Sequence, residues 1–244
     1  MENDNFAGIK ACDSLKQLAL LFLFITVCAV AASLLGLAVF NKLLKLNLDF
    51  LEVTSFMQGL VYILLCLLAL RQRGVDLAAA GREWRAGLGR DVKLAFKYFG
   101  VYLLITGVIV VIVFLTAWFF SKPAAEIVGK VASPDTMYAA VRTVMGRSGL
   151  RFFFLLVGFC VLAPVGEELF FRRLLYASLR KKSGFLPVLF FSSAVFAAAH
   201  LGATLMVFPV GLLLGYVYER HRRLPVNIML HALVNIFATI VHLT

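Results

Sequence analysis

Acidic side chains are scarce in this chain: 13 Asp and Glu stand against 24 Lys and Arg, a formal net charge of +11. No Cys-x-x-Cys pair occurs among Cys12, Cys28, Cys66 and Cys160, and three of these four lie in or beside apolar runs. The scatter argues against a disulfide frame or a cysteine metal site and leaves small packing residues. No loop is long enough to build an independent soluble core. No internal repeat or low-complexity tract interrupts the sequence, and no nucleic-acid module accompanies the positive charge. The N-terminus, Met-Glu-Asn-Asp-Asn, lacks the basic region of a signal peptide, and the run Leu18–Phe40 is too long for a signal-peptide core. It is expected to stay attached as a first transmembrane helix.

What the chain does have is apolar length. Apolar residues make up 62% of it and the mean hydropathy is +0.93, against roughly 45–50% apolar residues in soluble domains. Runs long enough to cross a hydrocarbon core of ~30 Å recur along it. The expected fold is therefore all-α, a polytopic membrane helix bundle with about seven transmembrane helices plus interfacial amphipathic helices. Leu18–Phe40, Val53–Leu70 and Tyr98–Phe120 are the first three spans. Arg71–Lys97 carries seven Lys and Arg against three Asp and Glu. Trp84 and Leu88 share a helical face there, which predicts an amphipathic helix in the interface. Ser121–Leu150 reads as a second amphipathic connection, with Ser133-Pro134 as N-cap and N1. Met137, Val141, Val144 and Met145 form its stripe.

The remaining spans run from about Leu150 to Arg180, then Phe185–Leu201, Thr204–Tyr218 after a tight turn at Gly202–Ala203, and Leu224–Leu243. Residues 1–149 are thus N-terminal transmembrane helices with amphipathic connections, and 150–244 a four-helix core, within one integral membrane domain. Lys and Arg set orientation and meet anionic lipid headgroups. Arg71–Lys97, Arg180-Lys181-Lys182 and Arg220-His221-Arg222-Arg223 are the cytoplasmic loops by the positive-inside rule. The N-terminus is then cytoplasmic, and the expected location is the inner (plasma) membrane of a prokaryote. His221 reads as a solvated loop residue and His242 as a helix-end residue at the outer interface.

Three polar motifs fall on separate apolar spans: Glu167-Glu168-Leu-Phe-Phe-Arg172, Phe196-Ala-Ala-Ala-His200 and His231-Ala-Leu-Val-Asn235. Ionisable groups inside a bilayer are costly, roughly 2.5–3.5 kcal/mol for a central charge, so several on neighbouring helices imply a polar cluster. At ~1.5 Å per residue, Glu167 lies ~20 Å and His200 ~21 Å from the Arg180 loop on adjacent helices. The two can face each other at one depth. His231 and Asn235 share a face, as do Phe196 and His200. Glu168 and Arg172 have the i,i+4 spacing of an intrahelical ion pair. Glu167, about 100° away around the helix, is left for chemistry. An acid, two imidazoles and an amide are the types that activate a water and stabilise an oxyanion.

In this order the motifs, Glu-Glu-x-x-x-Arg, Phe-x-x-x-His and His-x-x-x-Asn, resemble those of the CPBP family of intramembrane proteases, named for CAAX prenyl proteases and bacteriocin-processing enzymes. The resemblance covers about Phe152–Leu243. It implies that Glu167 is general base toward a water also held by His200, and that His231 and Asn235 form the oxyanion hole. Glu168, Arg172 and Phe196 support them. The implied substrate is a membrane-associated peptide or protein, with or without a lipid modification; no cofactor and no nucleic acid are expected. Two alternatives stand beside this reading. Zinc hydrolysis would use Glu167, His200 and His231 as ligands. A non-catalytic scaffold, regulator or immunity factor would use the same cluster to bind a peptide.

Overall fold

The computed structural model describes residues 14–120, 136–200 and 204–243. Helices joined by short linkers make up these residues, with no strand among them. Helix α1 spans Leu15–Ala38 and ends in a wide π-turn, Val39–Leu43. It is followed by α2 (Phe50–Gln72) and α3 (Leu77–Phe119). Next come α4 (Thr136–Arg147), α5 (Gly149–Arg180), α6 (Phe185–Ala198), α7 (Thr204–His221) and α8 (Leu224–Leu243). Five helices are long and apolar enough to cross a membrane: α1 with its π-turn, α2, α3, α5 and α8. The expected polytopic bundle is present. Of the seven expected spans, α6 and α7 are the two outside those five, and they pack against each other.

Helix α5 is the axis of the bundle. Its central residues Phe170, Phe171, Arg172, Leu174 and Tyr176 are at most 2% exposed, as expected of a helix enclosed on all sides. Phe22 of α1 packs on Phe170 and Phe171, at centroid distances of 5.1 and 5.9 Å. Helix α2 approaches α5 at backbone distance. A Cβ on Gly59 would stand 2.5 Å from the Leu162 side chain, and one on Gly166 2.8 Å from that of Tyr62. Helices α6 and α7 use the same device at Gly211 and Gly215, a Gly-x-x-x-Gly pair that lets α7 ride on Leu189 and Ser193.

Helix α3 departs from the sequence reading. Arg71–Lys97 contains no separate interfacial helix, because Asp76 caps one continuous helix of 43 residues. At ~1.5 Å per residue this is ~65 Å, longer than the ~40–45 Å of a whole bilayer. Trp84 packs on the core while Leu88 is exposed, so the pair does not form one interfacial face. Asp91, read as part of a charged loop, is fully buried. Its two oxygens accept from Arg223 Nε and Nη2, both at 2.6 Å, and Glu83 accepts from Nη1 at 3.1 Å.

In α4, Val141 and Val144 are buried with Leu155 as expected, but Met145 is exposed. Ser133, Pro134, the turn at Gly202–Ala203, and the side chains of Met137 and His242 lie outside what is described. His221 is not a solvated loop residue. It ends α7 half-buried, with Nε2 2.9 Å from the Tyr98 hydroxyl.

Candidate active site

The site forms where α5 is least regular. Two wide-turn segments, Gly158–Leu162 and Leu169–Tyr176, bracket the short regular stretch Ala163–Glu168. Such insertions are frequent at functional sites, because they re-aim side chains and free carbonyls. In the first segment the Ala163 N–H bonds to the Gly158 carbonyl, five residues back. The neighbouring Phe159 carbonyl accepts instead from Asn235 Nδ2 of α8, at 2.9 Å.

Helix α6 reaches the site by stopping short. Its 14 residues rise only ~21 Å, and His200 follows the last turn, its N–H bonded to the Ala197 carbonyl. The sequence reading placed His200 within a helix running to Leu201. The structure places it just beyond the helix end, at the depth of Glu167. Its Nδ1 lies 2.8 Å from the Phe196 carbonyl. A carbonyl only accepts, so Nδ1 carries the hydrogen, and neutral His200 presents an open Nε2.

Glu167 stands between both imidazoles. Its Oε2 is 3.5 Å from His200 Nε2 and 3.8 Å from His231 Nε2, and this buried oxygen makes no direct hydrogen bond. Phe196 is the common floor, its centroid 4.7 Å from the His200 ring and 5.7 Å from the His231 ring. The expected juxtaposition of Glu167, His200, Phe196 and His231 is therefore found.

Glu168 does more than pair with Arg172. The ion pair exists, Nε to Oε2 at 3.2 Å with both side chains fully buried. Oε2 also accepts from Asn227 Nδ2 at 3.2 Å, and Oε1 from His231 Nδ1 at 3.0 Å. Asn227 in turn donates to the Leu214 carbonyl at 2.7 Å. Sequence reasoning missed Asn227. The signal was there, since Asn227, His231 and Asn235 form a polar stripe at i,i+4 spacing on an otherwise apolar helix. Arg172 also lies over the Phe196 ring, 5.1 Å from its centroid, with Nη1 and Nη2 buried and making no hydrogen bond. Asn235 is adjacent on α8, one of its two amide hydrogens engaged by Phe159.

Both histidines direct Nε2 at Glu167 and tie Nδ1–H to an acceptor, an arrangement that metal-ligating histidines also use. Among the described residues, however, no group of three His, Cys, Asp or Glu side chains is gathered so as to hold a metal ion. What the arrangement offers is a half-buried carboxylate whose buried oxygen faces two imidazole nitrogens across a gap slightly beyond direct hydrogen-bond length.

A helical bundle with five membrane-crossing candidates and an acid–imidazole cluster in its interior is the class this geometry defines. Residues 149–237 match the family described as type II CAAX prenyl endopeptidase Rce1-like. A curated relative is the Bacillus subtilis (strain 168) protein named "Putative membrane peptidase YdiL", 29% identical over 85 residues. That match takes in 34% of this chain and 35% of the relative, so the chain spans about a third of the relative's length. No solved structure matches this chain.

Proposed function

We propose that this chain is an intramembrane endopeptidase that hydrolyses a peptide bond of a membrane-associated peptide or protein. The observation that carries the reading is the Glu167 carboxylate poised between two imidazole Nε2 atoms, at 3.5 and 3.8 Å. The match to a CAAX endopeptidase family supports the same reaction class and makes a lipid-modified substrate the first to try.

In this mechanism a water bridges Glu167 Oε2 and His200 Nε2, both acceptors, so its lone pair is left to attack the scissile carbonyl. Glu167 takes one water proton as the O–C bond forms. Glu167 then passes that proton to the amine as the C–N bond breaks. His231 donates Nδ1–H to Glu168, so its Nε2 can donate to the oxyanion only from the imidazolium form. In this mechanism His231 acts in that form, beside the Glu168 carboxylate that its Nδ1 meets at 3.0 Å. The second amide hydrogen of Asn235 completes the hole. Access from the cytoplasmic side, where the basic loops lie by the positive-inside rule, belongs to the same proposal.

Glu167→Gln keeps the volume and removes the base, so proteolysis of a membrane-peptide substrate should fall by about 10²–10⁴-fold. Unchanged cleavage would end the glutamate-base reading. The histidine tautomers also suit zinc, and the proposal is for the metal-free form. Activity should then survive exhaustive chelation. Stoichiometric zinc that leaves with activity and restores it on return would replace this mechanism by metal hydrolysis. A protein that binds the peptide equally well before and after Glu167→Gln and never cleaves it would be the scaffold instead.

A further inference from the structure

A proline inside a helix clashes with the carbonyl four residues back and has no N–H to offer it. Pro164 is such a residue. It lies buried within α5, directly after Ala163, whose N–H closes the first wide turn onto the Gly158 carbonyl. That bond spends the donor that an α-helix would give to the Phe159 carbonyl. The next N–H along, the one a continued wide turn would give to Phe159, belongs to residue 164. Proline has none. In a membrane helix such a freed carbonyl is satisfied by a neighbouring helix, and here Asn235 Nδ2 of α8 reaches it at 2.9 Å.

The wide turn is held from two sides. A Cβ on Gly158 would stand 2.9 Å from the Ser55 backbone, and one on Gly59 3.0 Å from that of Leu162, so α2 lies directly on the turn. The Phe159 side chain packs on the cluster of Val141, Val144 and Leu155 under α4. The carbonyl is thereby fixed in place, and a carbonyl oxygen only accepts. It selects the Nδ2 edge of the Asn235 amide and turns Oδ1 away. A flipped amide would aim Oδ1, an acceptor, where the mechanism needs a donor.

We propose that Pro164 is a positioning residue of the reaction. By withholding an N–H from the Phe159 carbonyl, it keeps that carbonyl for Asn235 and fixes which edge of the amide faces the scissile bond. This rests on the oxyanion role proposed for Asn235 and supplies its cause.

The test compares the full chain with Pro164→Ala and Pro164→Gly, both of which restore an N–H at that position. Two readouts are taken: cleavage of a prenylated peptide, and the nitrogen-15 NMR signal of the Asn235 side-chain amide, assigned by its loss in Asn235→Ala. Both variants should lower kcat about tenfold with KM little changed, part of the roughly 10²–10³-fold that loss of one oxyanion donor costs. Pro164→Ala should keep or raise Tm, because alanine is the better helix residue. A purely structural proline would do the reverse, losing Tm and sparing kcat. In the Asn235→Ala background, Pro164→Ala should cost nothing further, since both changes act on one donor. The Asn235 amide signal should move in both variants with no substrate present. An unmoved signal, unchanged kcat in both variants, or losses that multiply in the double variant would overturn the inference. Parent-like cleavage by Asn235→Ala would instead remove the oxyanion reading, and the amide signal would still report whether Pro164 orients Asn235.

Discussion

Two buried charge clusters in this molecule are built from the same kinds of residue and end in opposite conditions. Where the α7–α8 linker crosses the first half of α3, Asp91 and Arg223 meet through two bonds of 2.6 Å, and Glu83 adds a third contact. Even the backbone is shaped to it, since a Cβ on Gly87 would stand 2.1 Å from Arg223 Nη2. Around Glu167 and Glu168, by contrast, Glu167 Oε2, Arg172 Nη1 and Nη2 and Asn227 Oδ1 are all buried without hydrogen bonds. A saturated buried pair holds helices in place. An under-satisfied one stores binding capacity, because each open donor or acceptor gains when a substrate or water supplies its partner. We read the first cluster as a clamp and the second as a site on that difference.

The comparison breaks most sharply at the clamp. Arg223→Ala strands a buried carboxylate, and unfolding should be easier by about 3–5 kcal/mol, measured as a lower denaturation midpoint. Glu167→Gln should barely move that midpoint while removing activity. If Arg223→Ala spared stability and Glu167→Gln destroyed it, the two assignments would have to be exchanged.

A smaller effect sharpens the picture inside the site. Asn227→Ala removes one bond to Glu168, and no part of Asn227 contacts Glu167 or His200 in the proposed chemistry. Loss of a buried hydrogen bond of ~1–3 kcal/mol should lower kcat about tenfold or more with KM little changed, through a looser His231. Asn227→Asp should not rescue it, because a second carboxylate would face Glu168. A change confined to KM would mean that Asn227 binds substrate directly.

The smallest effect concerns His221. Burial, then the nearby positive charges of Arg220, Lys97 and Arg90, hold its pKa below the usual 6.5. The folded state therefore favours the neutral ring, and the unfolded chain takes up the proton first as pH falls. The contribution to stability is complete above pH 6.5 and is lost as pH drops through the lowered folded value. His221→Gln should flatten the fall of Tm in that window. An unaltered slope would remove His221 from the account.

How much of this was legible beforehand differs from element to element. Spacing alone placed Glu167 opposite His200, because two adjacent helices counted from one loop must reach equal depth. The Glu168–Arg172 pair followed from i,i+4 geometry within one helix. The reading failed where partners are remote in the chain. Asp91 looked like one charge among many in a basic loop, and nothing local reveals that Arg223 closes over it. His221 likewise looked solvated until Tyr98 supplied its partner.

The sequence by itself determined the helices, their burial in a membrane and the three polar motifs, since hydropathy and helical period are local properties of the chain. Tertiary structure decided that α3 runs unbroken past the bundle, and that α6 stops short to deliver His200 at its end. It also decided that Glu168 holds His231 through Nδ1 while Asn235 is half engaged by the Phe159 carbonyl. Hydrogen bonds across helices depend on crossing geometry and on where wide turns free a carbonyl. Those depend on backbone approach at Gly59, Gly166, Gly211 and Gly215, which exists only once the helices have packed.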